Sequence, residues 1–127
     1  MAKRVVLVNP YFEGVVVVPT LGLGFIGTYL KERSNCEVKI LEPMLQGLTE
    51  KHVLDEAKEA EIVGLTCYTE SRFQVFNFAE KVKQVNPDCK IIIGGPHVNT
   101  LDELILKHYP FIDIIGGHKI RGKGETF

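Results

Sequence analysis

Apolar residues along this chain fall into short runs separated by polar breaks, and their spacing switches between strand and helix periods. Val5 to Val8 is an unbroken aliphatic run ended by Asn9-Pro10, which predicts a strand buried on both faces. A loop is expected from Tyr11 to about Thr20. Leu23, Ile26 and Leu30 then share one face of a helix whose solvated end carries Lys31, Glu32 and Arg33. Glu37 to Leu41 alternates as a second strand, closed by Glu42-Pro43. Thr49 stands as N-cap of a polar helix that turns Val53, Leu54, Ala57 and Ala60 inward. Ile62 to Thr66 is a third strand. Ser71 with Gln74 makes a capping box for a helix with Val75, Phe78, Ala79 and Val82 as its buried stripe, and Asn86-Pro87-Asp88 stops it. In the stretch Lys90 to Val98, Ile91 to Ile93 form a fourth strand. Thr100-Leu-Asp-Glu103 then caps a helix through Leu101, Leu104, Ile105 and His108. Ile112 to Ile115 is a fifth strand, followed by Gly116-Gly117.

Five strands alternating with four helices predict an α/β fold. The expected form is a flavodoxin-like or Rossmann-like, doubly wound, five-stranded parallel sheet of order 2-1-3-4-5 with helices on both faces. Residues 1–127 read as one domain. The sequence stops at Gly122-Lys-Gly-Glu-Thr-Phe127, where a fifth covering helix is expected to begin, so the domain reads as a piece of something longer.

Composition narrows the function. With 45% hydrophobic residues, 24% charged residues and a net charge of -1, the chain shows no basic excess for nucleic acid and no acidic tail. Its longest apolar runs, Val5 to Val8 and Val15 to Val18, are far too short to span a membrane. Three cysteines without framework spacing place it in a reducing cytoplasm.

Several positions could carry chemistry. Gly94 and Gly95 remove two successive side chains at the carboxyl end of the fourth strand, where open α/β sheets bind ligands. Bare backbone there admits a bulky ligand or a neighbouring helix, although a tight β-to-α turn explains the same pair. Thr66, Tyr68 and Thr69 put hydroxyls beside it, suited to a polar or phosphate-bearing tail or to capping the next helix. Gly22-Leu-Gly-Phe-Ile-Gly27 is a literal G-x-G-x-x-G, with Glu42 placed 20 residues after its first glycine. A dinucleotide site needs that glycine in the turn straight off the first strand, whereas residues 9–21 intervene. Small residues that let a helix lie close to the sheet are the expected explanation. A phosphoacceptor receiver needs acids at the ends of strands one and three, where this chain offers Asn9-Pro10 and Thr66-Cys67. Cys36 and Cys89 precede strands two and four, roughly 14 Å apart by strand spacing, and Cys67 ends strand three at the opposite edge, so a structural role is expected for all three. His97 and His118 follow adjacent strands but have no evident third metal ligand; His52 and His108 read as ordinary helix residues.

As an ordered set, five stretches resemble one family. They are Val5-Val-Leu-Val-Asn-Pro10, Pro19-Thr-Leu-Gly-Leu-Gly-Phe-Ile-Gly-Thr-Tyr-Leu30, Ile62-Val-Gly-Leu-Thr66, Ile91-Ile-Ile-Gly-Gly-Pro-His97 and a terminal Gly-x-Gly-Glu. The set resembles the N-terminal cobalamin-binding domain of cobalamin-dependent radical S-adenosylmethionine enzymes, which include the anaerobic magnesium-protoporphyrin IX monomethyl ester cyclases. The resemblance covers nearly the whole chain. It implies a cobalamin lying across the carboxyl edge of the sheet, its nucleotide tail threading down between strands and helices. Thr66, Cys67, Tyr68 and Thr69, with Gly94, Gly95, Pro96 and His97, would then line the tail. The loop from Pro10 to Leu21, with Gly22, would face the lower side of the corrin, and Gly116 and Gly117 would flank the tail.

The chain departs from the pattern twice. No histidine follows Asp55, Asp88, Asp102 or Asp113 at two residues' distance, so the D-x-H-x-x-G motif is absent and a base-off cobalamin without a protein histidine ligand is implied. Gly116 to Lys123, GGHKIRGK, replaces the family's direct run into an Arg-Gly-Glu-Gly-Glu turn. The C-x-x-x-C-x-x-C motif of the radical chemistry is not in this chain; S-adenosylmethionine and a [4Fe-4S] cluster would belong to a following radical SAM domain, the module's partner. The fragment itself would bind cofactor and have no catalytic residue, while the full-length protein would be a methyltransferase or an oxidoreductase of the cyclase type. A second reading is a flavodoxin-like docking or substrate-gating domain with a vestigial corrinoid site, which the missing histidine leaves open.

Overall fold

The aliphatic runs Val5 to Val8, Ile62 to Leu65 and Ile91 to Ile93 lie in strands of one sheet. The computed structural model describes residues 3–10, 21–67, 72–94, 102–115 and 119–120. The elements in chain order are β1 (Lys3–Val8), α1 (Leu21–Arg33), β2 (Cys36–Leu41), α2 (Pro43–Gln46), α3 (Glu50–Ala57), β3 (Ile62–Thr66), α4 (Arg72–Val85), β4 (Lys90–Gly94), α5 (Asp102–His108), β5 (Ile114–Ile115) and β6 (Lys119–Ile120). The sheet order is β2-β1-β3-β4-β5-β6. Its first five strands are parallel in the expected 2-1-3-4-5 order. The sixth, unforeseen in the sequence, pairs antiparallel with β5.

Alternation along the strands divides the buried side chains between two faces. Val6, Val8, Val63, Leu65, Ile91, Ile93 and Ile115 join the larger core under α3, α4 and α5. Val5, Leu7 and Val38 point the other way and pack with Leu30 of α1. α4 is amphipathic as its spacing requires, with Val75, Phe78, Ala79 and Val82 fully buried. Each such burial is worth about 1.5–3 kcal/mol for the larger side chains. On α1, Gly27 is why the helix lies close to the sheet: a Cβ there would stand 2.7 Å from Ile40 Cδ1.

Polar contacts fix a helix start and lock the amino edge. Thr49 caps α3 as expected, its hydroxyl accepting from the His52 amide at 3.2 Å. Asn86, just past α4, donates its side-chain amide to Ala57 O (2.9 Å), Lys58 O (3.2 Å) and Ala60 O (2.8 Å), satisfying carbonyls that the end of α3 leaves open. The Lys83 ammonium bonds Cys89 O at 2.6 Å and pairs with Asp113 at 2.8 Å, and the Asp113 carboxylate accepts the Ile91 amide at 2.9 Å.

That last bond explains one difference from expectation. Asp113 takes a backbone donor with its side chain, so β5 pairs only over Ile114–Ile115 although Ile112 is buried. α5 differs too. Ile105 is buried, but Leu104 is 54% exposed and His108 lies outside the core, because Tyr109 and Phe111 fill the space beside Phe76. A further helix, α2, starts at Pro43 and ends on Gly47 in the left-handed region at φ 69°, where glycine carries no Cβ penalty. The capping positions Ser71, Thr100 and Leu101 lie outside the described residues.

Asn86→Ala should lower the unfolding free energy by about 1–3 kcal/mol, because it strands buried carbonyls. Urea titration checks this, with a lower midpoint and an unchanged slope expected.

Candidate cofactor site at the carboxyl edge

The strand ends on the carboxyl side bring Asn9 and Pro10, Glu42, Thr66 and Cys67, and Gly94 to one edge. β1 continues past its last paired residue: the Asn9 amide donates to Leu41 O at 3.2 Å, and both Asn9 and Pro10 are buried. β3 likewise continues through Cys67, whose amide donates to Gly94 O at 2.7 Å. Thr66 and Gly94 are direct partners in the β3–β4 register. Thr66 is 8% exposed, and it shares a sheet face with Gly64 and Gly94.

The two strand glycines on that face do different jobs. A Cβ on Gly64 would stand 2.7 Å from Leu7 Cδ2, so that glycine makes room for a core side chain. A Cβ on Gly94 would meet no atom of the described residues within 4 Å. Packing therefore does not account for the missing side chain at Gly94; it leaves an opening beside Thr66, at the edge where such sheets hold ligands.

Cys67 is fully buried next to this opening, and burial pushes its thiol from 9.0 up to about 12, partly offset by the Arg72 guanidinium. Burial also raises the Cys89 thiol. None of the three cysteines is in a disulfide, and Cys36 alone is half-exposed. The thiol at Cys67 is a packed apolar group, not a nucleophile.

Leu21 and Gly22 open α1, which starts at the carboxyl edge because it returns antiparallel to β1 before β2 begins. The G-x-G-x-x-G glycines thus all lie inside a helix, and none occupies the turn off β1. Glu42, the acidic residue such a motif requires, is buried and serves as N-cap of α2, its amide donating to Gln46 Oε1 at 2.7 Å. Tyr68, Thr69, Gly95, Pro96, His97, His118, Gly116 and Gly117 lie outside the described residues. Asn9 and Gly64 were not singled out in the sequence. The signals were there, a polar residue directly after an aliphatic run and a glycine inside one.

A doubly wound sheet with an open carboxyl edge defines the chain as an α/β ligand-binding domain. The chain belongs to the B12 binding domain family, whose model matches residues 13–126. It is 30% identical over 84% of its length to an uncharacterized methyltransferase of Pyrococcus horikoshii. It is 29% identical over 96% of its length to the anaerobic magnesium-protoporphyrin IX monomethyl ester cyclase of Rubrivivax gelatinosus. It is 27% identical over 91% to the cobalamin-dependent radical SAM methyltransferase TokK of Streptomyces tokunonensis. The chain spans 22%, 22% and 17% of these relatives' lengths. Among solved structures it resembles the BeF3-activated DrrB receiver domain, with a TM-score of 0.61 and 16% identity over 91% of this chain and 83% of that one. That likeness is of fold alone. No helix among the described residues is long and apolar enough to cross a membrane.

The raised Cys67 pKa makes stability depend on alkaline pH. The unfolded thiol ionises near 9.0 and the native one only near about 12, so the native state holds the extra proton between these values. Its contribution is complete below pH 9.0 and is lost as pH rises towards about 12. Chemical denaturation should give falling stability across that window, reduced in Cys67→Ala relative to its own neutral-pH baseline. Iodoacetamide at neutral pH should label native Cys36 and spare Cys67 and Cys89.

Proposed function

We propose that this chain is the cobalamin-binding module of a longer radical SAM enzyme and that the corrinoid tail lies against the sheet at Thr66 and Gly94. The observation that carries the proposal is the open position at Gly94, in a chain of the B12 binding domain family. The residues present fit such a group. Gly94 leaves space, the Thr66 hydroxyl stands at its rim, and buried Pro10 and Cys67 give the edge a rigid apolar floor.

In this reading the domain binds and orients. Thr66 and the backbone at Gly94 hold the polar tail, and the core packed against β3 and β4 keeps the edge from shifting. Tyr68, Thr69, Gly95, Pro96, His97, Gly116 and Gly117 are assigned to the tail wall, and Leu21 and Gly22 to the lower face of the ring. When bound, the corrinoid supplies a cobalt centre for methyl transfer or oxidative cyclisation. S-adenosylmethionine and an iron–sulfur cluster belong in this proposal to a following domain. The lack of a D-x-H-x-x-G histidine supports base-off binding, with affinity resting on tail burial and shape.

Titration with hydroxocobalamin and methylcobalamin, followed by visible spectra and heat, tests the proposal. Saturable binding with a base-off spectrum is expected. A base-on spectrum would place the dimethylbenzimidazole on cobalt and contradict the buried tail, and no binding by the intact protein would favour a docking domain. Gly94→Leu should retain the native far-UV signal yet weaken uptake at least roughly fivefold, the lower end of what a forced extra side chain costs.

A further inference from the structure

β2 stands last in the sheet, and no described strand pairs with its outer side. The Asn9 amide donates to Leu41 O, so Leu41 turns its backbone groups inward to β1. These groups alternate in direction along a strand, so those of Glu37 and Lys39 also face β1. Those of Cys36, Val38 and Ile40 therefore face outward, spaced to form a further ladder. An edge of this kind pairs with another strand unless charge or shape prevents it.

The side chains of β2 divide in the same way. Glu37 and Lys39 lie on the α3 face, 68% and 63% exposed. Arg4 stands 3.4 Å from Glu37, and Glu56 stands 2.7 Å from Lys39. These ion pairs hold the acid and the base on that face. Beside them runs an open hollow of about 460 Å³, bordered by Arg4, Val38, Glu56 and Glu59. Cys36, Val38 and Ile40 face α1, and of these Cys36 and Ile40 are only half-buried. About Val38 the strand thus reads apolar, acid, apolar, base, apolar.

That order is its own complement. When two copies pair antiparallel about Val38, Glu37 of each stands opposite Lys39 of the other. Val38 meets Val38, and Cys36 meets Ile40, as hydrogen-bonded pairs whose backbone groups already point outward. A register centred on Glu37 would set acid against acid, and one centred on Lys39 would set base against base. We propose that β2 is the surface on which a second copy of this chain docks, antiparallel about Val38, making one continuous sheet. The contact uses the same edge of both copies and closes on itself, as a two-fold dimer requires. β4, with Gly94, lies three strands from the join, so the inference stands whether or not a corrinoid binds.

Charge reversal in the intact protein tests it, read by sedimentation over a concentration series, with the far-UV signal checking the fold. The unaltered protein should form a dimer that dissociates on dilution. Glu37→Lys and Lys39→Glu each turn two attractive cross-strand pairs into repulsive ones and should weaken the dimer roughly tenfold or more. The variant carrying both changes should regain it, because the order about Val38 is merely reversed. Cross-linking reads the register. In a Cys36→Ser background, Glu37→Cys mixed with Lys39→Cys should give a disulfide between the two variants faster than either gives with itself. Directly opposed residues of this type lie about 4.5 Å apart at Cα, within disulfide reach. A monomer at every concentration would overturn the proposal, and so would a dimer indifferent to both reversals. Equal cross-linking in mixed and unmixed samples would remove the Val38-centred register and the proposal with it.

Discussion

The β3–β4 ladder, from Ile62 opposite Lys90 to Thr66 opposite Gly94, is the contact on which the rest of the domain depends. It places Val63, Leu65, Ile91 and Ile93 under α4, the helix that joins the two strands. Its amino end is held by polar groups outside the ladder: Asn86 ties the end of α4 to α3, and Asp113 holds β5 against the Ile91 amide. At its carboxyl end the Cys67 amide reaches Gly94 O, which adds one more bond and fixes Thr66 beside the open position. A clamped lower end and an unobstructed upper end are what a sheet needs to present a ligand site without spending core stability on it.

Glycine illustrates how one residue type answers different constraints. Gly27 admits a strand side chain under a helix, Gly64 admits a core leucine across the sheet, and Gly47 takes the left-handed turn that ends α2. None of these marks a ligand. Gly94 differs because none of the described residues occupies the space its side chain would take. The same test disposes of the G-x-G-x-x-G: a phosphate-binding glycine needs a turn and exposed amides, and here the motif is wound into α1.

The receiver likeness shows how far the fold can be separated from its chemistry. A sheet of this order offers the same strand ends to any ligand. A receiver requires carboxylates at the ends of β1 and β3, whereas this chain has Asn9 and Pro10 at one and Thr66 and Cys67 at the other, all buried. Cys67, with its thiol held protonated, adds bulk and no charge. The ends of β1 and β3 therefore carry no receiver carboxylates, which is compatible with the family to which the chain belongs.

Much was legible in the sequence because it follows from period and local chemistry. The aliphatic runs set the first four strands, the i, i+3, i+4, i+7 pattern of Val75, Phe78, Ala79 and Val82 set α4, and Thr49 set the start of α3, since each acts within one turn or one pleat. The strand order followed from right-handed crossovers, and the edge expected to hold a ligand followed from the order. What only the tertiary structure decided were relations between residues distant in sequence. Gly64 and Gly94 look alike until Leu7 is found over one and none of the described residues over the other. Asn86 reads as a helix stop until it is seen bonding α3, and Leu104 reads as core until Tyr109 and Phe111 take its place. The β6 hairpin and the half-covered Ile92 and Ile114 depend on which strands become neighbours. Periodicity determines which way a side chain faces; only the assembled fold determines what stands there to meet it.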